Sequence, residues 1–118
     1  MISHIVLFSP KSTLSPGETR ALISAVHRAF SEIPSVIRVR VGKRVDVDAG
    51  YLRSFGQEPY SYSAVAEFDS VAELQTYLAH PLHHELGKLF WQTCDRCIVS
   101  EMDCVDGKDP TELNNLVS

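Results

Sequence analysis

Histidines, tyrosines and cysteines are the side chains here that could move protons or bind metal near neutral pH, and the chain has five, four and three of them. His4 lies in the first apolar run, and Tyr77, His80, His83 and His84 crowd into one short segment. An imidazole can take a proton from carbon or oxygen, while a tyrosine hydroxyl can orient a substrate oxygen or hold a developing enolate. A pocket gathering His4, Tyr77, His80 and His83 would therefore suit proton abstraction without a cofactor. Each residue also has a structural reading. His4, on an apolar strand face, serves as well as a hydrogen-bonded core histidine. Tyr77 is spaced with Leu74 and Leu78 as helix core, His80 suits a cap before Pro81, and His84 faces solvent. His83 is the foremost pocket candidate.

Other constellations carry less. His80 and His84 stand four apart with Glu85 behind them, but the order His-Glu-x-x-His is missing and Pro81 disturbs the helix where the first ligand would point, so no metal site is expected. Cys94-Asp95-Arg96-Cys97 is a CxxC pair placed where a helix ends and a strand begins. Redox pairs sit instead at a helix N-terminus, which lowers a thiol pKa, so these thiols read as incidental. Asp46, Asp48 and Glu58 flank a glycine-containing loop and keep it solvated. No phosphate-binding glycine loop, Ser-His-Asp order or nucleophile elbow occurs.

The elements that must position these residues follow from periodicity. Ile2 to Phe8 reads as a strand greasy on both faces, with Ile2, His4, Val6 and Phe8 on one side and Ile5 and Leu7 on the other. Ser15-Pro16-Gly17-Glu18 has capping-box spacing and opens a helix whose stripe is Leu22, Ile23, Val26, Phe30 and Ile33, ended by Pro34. Val36 to Val45 alternates as a second strand. Residues 46–59 form a long loop, a lid or a dimer-clasping arm. Tyr60 to Phe68 is the third strand. Ser70-Val71-Ala72-Glu73 caps a second helix carrying Leu74, Tyr77 and Leu78. Pro81 interrupts it and starts a further helical turn with Leu82, Leu86, Leu89 and Phe90, and Cys97 to Val105 is the fourth strand. The tail, 106–118, is polar, and mobile or draped over a partner.

One domain fits 118 residues, with the body in 1–105. The order β-α-β-β-α-β is the ferredoxin-like α+β sandwich, a four-stranded antiparallel sheet with helices on one face only. Ile5, Leu7, Val65 and Val99 are placed on the bare side, a patch too large for a monomer to leave wet. A second copy of the chain is the simplest cover, so a homodimer is expected. A net charge of −4 and the lack of a Lys/Arg cluster oppose nucleic acid as a partner. With no spanning or leader segment and an odd cysteine count, a soluble cytoplasmic protein with reduced thiols, not associated with a membrane, is expected.

Ser3-His4-Ile5-Val6-Leu7-Phe8, Ile33-Pro34-Ser35-Val36, Val65-Ala66-Glu67-Phe68-Asp69-Ser70 and Tyr77-Leu78-Ala79-His80-Pro81-Leu82-His83 together resemble the stress-responsive dimeric A/B barrel (Dabb) family, over about residues 2 to 105. The resemblance implies a homodimer whose two sheets form a shared barrel, in a family mostly without assigned activity. Plant polyketide cyclases of this family are similar in having histidines at the places of His4 and His83 and a tyrosine at that of Tyr77. Their further pocket tyrosine falls at about Val26, which has no hydroxyl. The resemblance thus implies a dimer that binds a small hydrophobic or aromatic molecule, as a cofactor-free lyase or cyclase with His83 as base and His4 and Tyr77 orienting the substrate. The alternatives are a non-catalytic dimeric stress or assembly protein, supported if Phe8, Phe30 and Phe90 fill the helix-side cavity, and a cofactor-independent monooxygenase, which rests on fold analogy.

Overall fold

In the computed structural model the described residues are 1–48, 50 and 59–118. The chain runs β1 (Ile2–Pro10), α1 (Pro16–Glu32), β2 (Arg38–Lys43), β3 (Tyr62–Phe68), α2 (Val71–Ala79), α3 (Pro81–Thr93), β4 (Cys94–Asp103) and α4 (Pro110–Leu116). The four strands form one antiparallel sheet in the order β2-β3-β1-β4, the split βαβ arrangement expected from the sequence. The proposed lid or arm falls on residues 49 and 51–58, which lie outside the described residues.

Local chemistry sets the boundaries. At α1 the capping box closes in both directions, with Glu18 N donating to Ser15 Oγ at 3.1 Å and Ser15 N donating to Glu18 Oε1 at 3.0 Å. Ser70 accepts from Glu73 N at 3.2 Å to start α2. His80 starts α3, its Nδ1 accepting from Leu82 N at 3.1 Å while Pro81 takes the first helical position. His80 is therefore a cap, as its structural reading supposed.

The core lies between the helices and one face of the sheet. Ile2, Ala66 and Phe68 meet Leu22, Ala25, Ala29 and Ile33 of α1, Leu74 and Tyr77 of α2 and Leu86 of α3. Two expectations for this packing need correction. Ile23 is exposed, while Leu22, Val26, Phe30 and Ile33 pack inward as expected and are joined on that side by buried Ala25 and Ala29. Small residues on that line let α1 approach its neighbours closely, a burial signal that bulk hydrophobicity alone misses.

Val99 is the second correction. The register sets it opposite Val6, and partners across an antiparallel ladder point to the same side, so Val99 belongs to the helix-facing side. Ile98, opposite Leu7, and Met102, opposite Ser3, take the place assigned to it on the bare side. Cys97, Ile98 and Val99 are all apolar in sequence, so alternation gives no parity there. The bare side itself stands as expected, with Leu7, Ile98 and Met102 exposed and Ile5 and Val65 half-buried. The tail differs from a featureless one, since Asp109 accepts from Thr111 N and Glu112 N to cap the short exposed helix α4. Among the described residues no helix is long and apolar enough to cross a membrane.

Candidate functional site

The break between α2 and α3 and the edge of β1 bring three of the predicted residues together. His4 projects from β1 into the helix-facing layer and is nearly buried. Tyr77, in the last turns of α2, is almost fully buried among Phe68, His4 and His83. His83 comes from the first turn of α3. Ring centres are 5.6 Å apart for His4 and Tyr77, 4.7 Å for Tyr77 and His83, and 6.2 Å for the two imidazoles. His80 and His84 do not join them, His80 acting as a cap and His84 facing solvent.

The hydrogen bonds decide how each imidazole is wired. Because Leu82 N turns to His80, the Leu78 carbonyl near the end of α2 is left for His83 Nδ1 at 3.1 Å. A carbonyl only accepts, so Nδ1 carries the hydrogen and Nε2 is left bare. His4 Nδ1 lies 2.7 Å from Glu101 Oε1. An ionised carboxylate also only accepts, which again places the hydrogen on Nδ1. Burial lowers the His83 pKa, and the neighbouring His4 lowers it further against the opposing pull of the Leu78 carbonyl. Burial also raises the Tyr77 pKa well beyond the ordinary phenol range, helped by the Glu101 charge, so its O–H stays intact at physiological pH.

Glu101 escaped the sequence reading. It stands directly opposite His4 across β1 and β4, and only the register shows this. The signal available beforehand was weak, one of three acidic residues in a mixed edge strand.

These polar groups sit at one end of a cavity of about 590 Å³. Its floor continues along β1 through Val6 to Phe8, and its roof along α3 through Leu86 to Phe90. Phe8 and Phe90 stack edge to face with centres 4.8 Å apart, and Trp91 and Val99 complete the wall. Val26 lines the cavity with a hydrocarbon surface. A second cavity of about 730 Å³ lies on the other side of α1, beneath Ile23, and His27 is its one imidazole. Cys94 and Cys97 line the first cavity, but burial raises both thiol pKa values, which leaves them weak nucleophiles.

The family model for the stress responsive A/B barrel domain matches residues 2–104. Among solved structures, the hydroxynitrile lyase from Passiflora edulis is similar with a TM-score of 0.73 and 22% identity, over 92% of this chain and 96% of that one. A dimeric ferredoxin-like protein of unknown function from Thermobifida fusca gives 0.67 and 21%, over 87% and 90%. SnoaB, a cofactor-independent oxygenase from Streptomyces nogalater, gives 0.66 and 14%, over 91% and 95%. At such identities the likeness is one of fold, and the fold is the ferredoxin-like one. No curated protein matches the sequence.

Proposed function

The chain belongs to the stress responsive A/B barrel domain family, and from that premise we propose that it is a homodimer whose subunits each bind a small organic molecule and transfer protons on it without a cofactor. The observation that carries this reading is the convergence of His4, Tyr77 and His83 at one end of a cavity of about 590 Å³. Phe8, Phe30 and Phe90 line that volume rather than closing it, which favours binding over an assembly role alone. The second copy covers the bare side of the sheet, where Leu7, Ile98 and Met102 are exposed around half-buried Ile5 and Val65. Residues 1–105 hold both surfaces, and 106–118 is a tail.

In this reading His83 is the base. Its imidazole is neutral at physiological pH because burial lowers its pKa, and its Nε2 lone pair is unclaimed. A proton on carbon beside a carbonyl passes to Nε2, and the C–H electron pair moves into an enolate. Tyr77 O–H donates to the enolate oxygen and His4 holds the substrate. Return of a proton to carbon, or loss of a leaving group from the enolate, completes a lyase or cyclase cycle.

Proton abstraction can be read without knowing the natural substrate. In D₂O the protein should exchange the methyl protons of acetophenone above the buffer rate, followed by proton NMR. The variant His83→Ala should lose on the order of a hundredfold of that rate, the usual share of a positioned base, while remaining dimeric in the ultracentrifuge. Exchange unchanged in the variant, or absent from the parent, removes the catalytic reading.

A further inference from the structure

Glu101 is the one carboxylate among the described residues at the polar end of the cavity, and its hydrogen-bond partner there is an imidazole. Its Oε1 lies 2.7 Å from His4 Nδ1, and the two residues are direct partners across β1 and β4. The His4 side chain is 8% exposed and that of Glu101 38%, so the imidazole is held inside by a carboxylate that still reaches solvent. With its hydrogen drawn to Nδ1, His4 can meet the cavity only through the Nε2 lone pair, as an acceptor. A histidine without such a partner is free to carry its hydrogen on either nitrogen.

The charge has a second effect. Among the described residues Arg96 is the only Lys or Arg lining this cavity, and it stands opposite Ser9, five residues along β1 from His4, on the order of 17 Å away. Its guanidinium is occupied there by the Pro59 carbonyl at 2.8 Å and by the face of Tyr60. A ligand carboxylate or phosphate at the polar end would meet Glu101 with no Lys or Arg among the described residues there to balance it, in a site where desolvation strengthens the repulsion. A hydroxyl would instead find an acceptor already aimed at it.

We propose that Glu101 is a positioning residue that fixes His4 as a hydrogen-bond acceptor, and that it thereby selects uncharged, hydroxyl-bearing molecules with an apolar body over anionic ones. The inference rests on the cavity being the binding site proposed above, and it deepens that reading by naming the class of molecule. The apolar body follows from the cavity wall, which passes from the imidazoles through Val6 and Leu86 to Phe8 and Phe90.

Two measurements test it. Nitrogen NMR on ¹⁵N-histidine-labelled protein above the imidazole titration range reports the His4 tautomer with no ligand present. The parent should show a protonated Nδ1 and a bare Nε2. Both Glu101→Gln and Glu101→Ala should populate the Nε2-protonated form, because an amide can donate to Nδ1 and alanine offers no acceptor. Glu101 is partly exposed on an edge strand, so neither variant should disturb the fold, and thermal melts check this. Binding is then read by the fluorescence of Trp91, the chain's single tryptophan, which lines the cavity. The parent should bind 4-propylphenol and reject 4-propylbenzoate. The variants should lose on the order of tenfold in phenol affinity and gain affinity for the benzoate. A parent His4 protonated at Nε2, a tautomer unchanged in both variants, or equal binding of the two probes by the parent overturns the proposal. Since the tautomer is measured in the free protein, it can fail while acetophenone exchange survives and hold while exchange is absent, so the two readings fail separately.

Discussion

The two sides of β1 show how one strand can face two different environments. Ile2, His4, Val6 and Phe8 point beneath the helices and are all buried, and three of them form the floor of the cavity. Ser3, Ile5, Leu7 and Ser9 point the other way, where Leu7 is exposed and Ile5 half-buried while the two serines are covered by neighbouring side chains. The first side is specified by packing partners within the chain, so its polar member, His4, has a carboxylate to satisfy it. The second is a row of apolar groups between serines, with Arg38 and Glu67 paired at its margin through a bidentate contact. A side that faces a cavity needs fixed hydrogen bonds, and one that faces a twin needs shape and apolar area.

The largest effect is expected where the covered side is most tightly packed. Phe68 has no exposed surface and touches the Tyr77 ring. Phe68→Ala should cost about 3–5 kcal/mol in denaturant unfolding. A loss under about 1 kcal/mol would mean that this end of the core is loosely filled.

Adjacent residues of β4 offer a sharper cut. Ile98→Glu should raise the dimer dissociation constant on the order of a hundredfold, a buried anchor being worth about 2–4 kcal/mol, and leave probe binding in the cavity intact. Val99→Glu should do the reverse. If both variants stay dimeric at micromolar concentration, the bare side is not the interface.

The smallest effect concerns pH. His83 is held neutral in the folded chain because burial lowers its pKa below the ordinary 6.5. Above that value neither state is protonated and the residue contributes nothing to the pH dependence. As the pH falls through it, the unfolded chain binds the proton first and folding is disfavoured, until the folded imidazole titrates as well. As the pH falls from neutral through 6.5, His83→Asn should therefore lose less stability than the parent in thermal melts. Parallel profiles would mean that His83 is not buried in its neutral form.

The element order, the helix caps at Ser15 and Ser70 and the restart at Pro81 were legible because each is a local signal: a capping residue, a proline, a change of period. His4, Tyr77 and His83 could be shortlisted from residue type and from likeness to a family, and the structure does bring them together. Three things lay beyond reach. Ala25 and Ala29 carry the α1 contact through smallness, which hydrophobic stripes do not register. Val99 was placed on the wrong side because an unbroken apolar run has no parity. Glu101 was missed because a cross-strand partner depends on register, and register is a property of two segments nearly a hundred residues apart.

The two imidazoles also differ in what could rewire them. Glu101 is a side chain, so one nucleotide change can release His4 to a different role. The acceptor for His83 is the Leu78 carbonyl, set free by the junction at His80 and Pro81, and no replacement at position 78 other than one that remodels the helix end can delete a backbone oxygen. The wiring of His4 can therefore be changed by a single side-chain substitution, and that of His83 only by remodelling the junction between two helices.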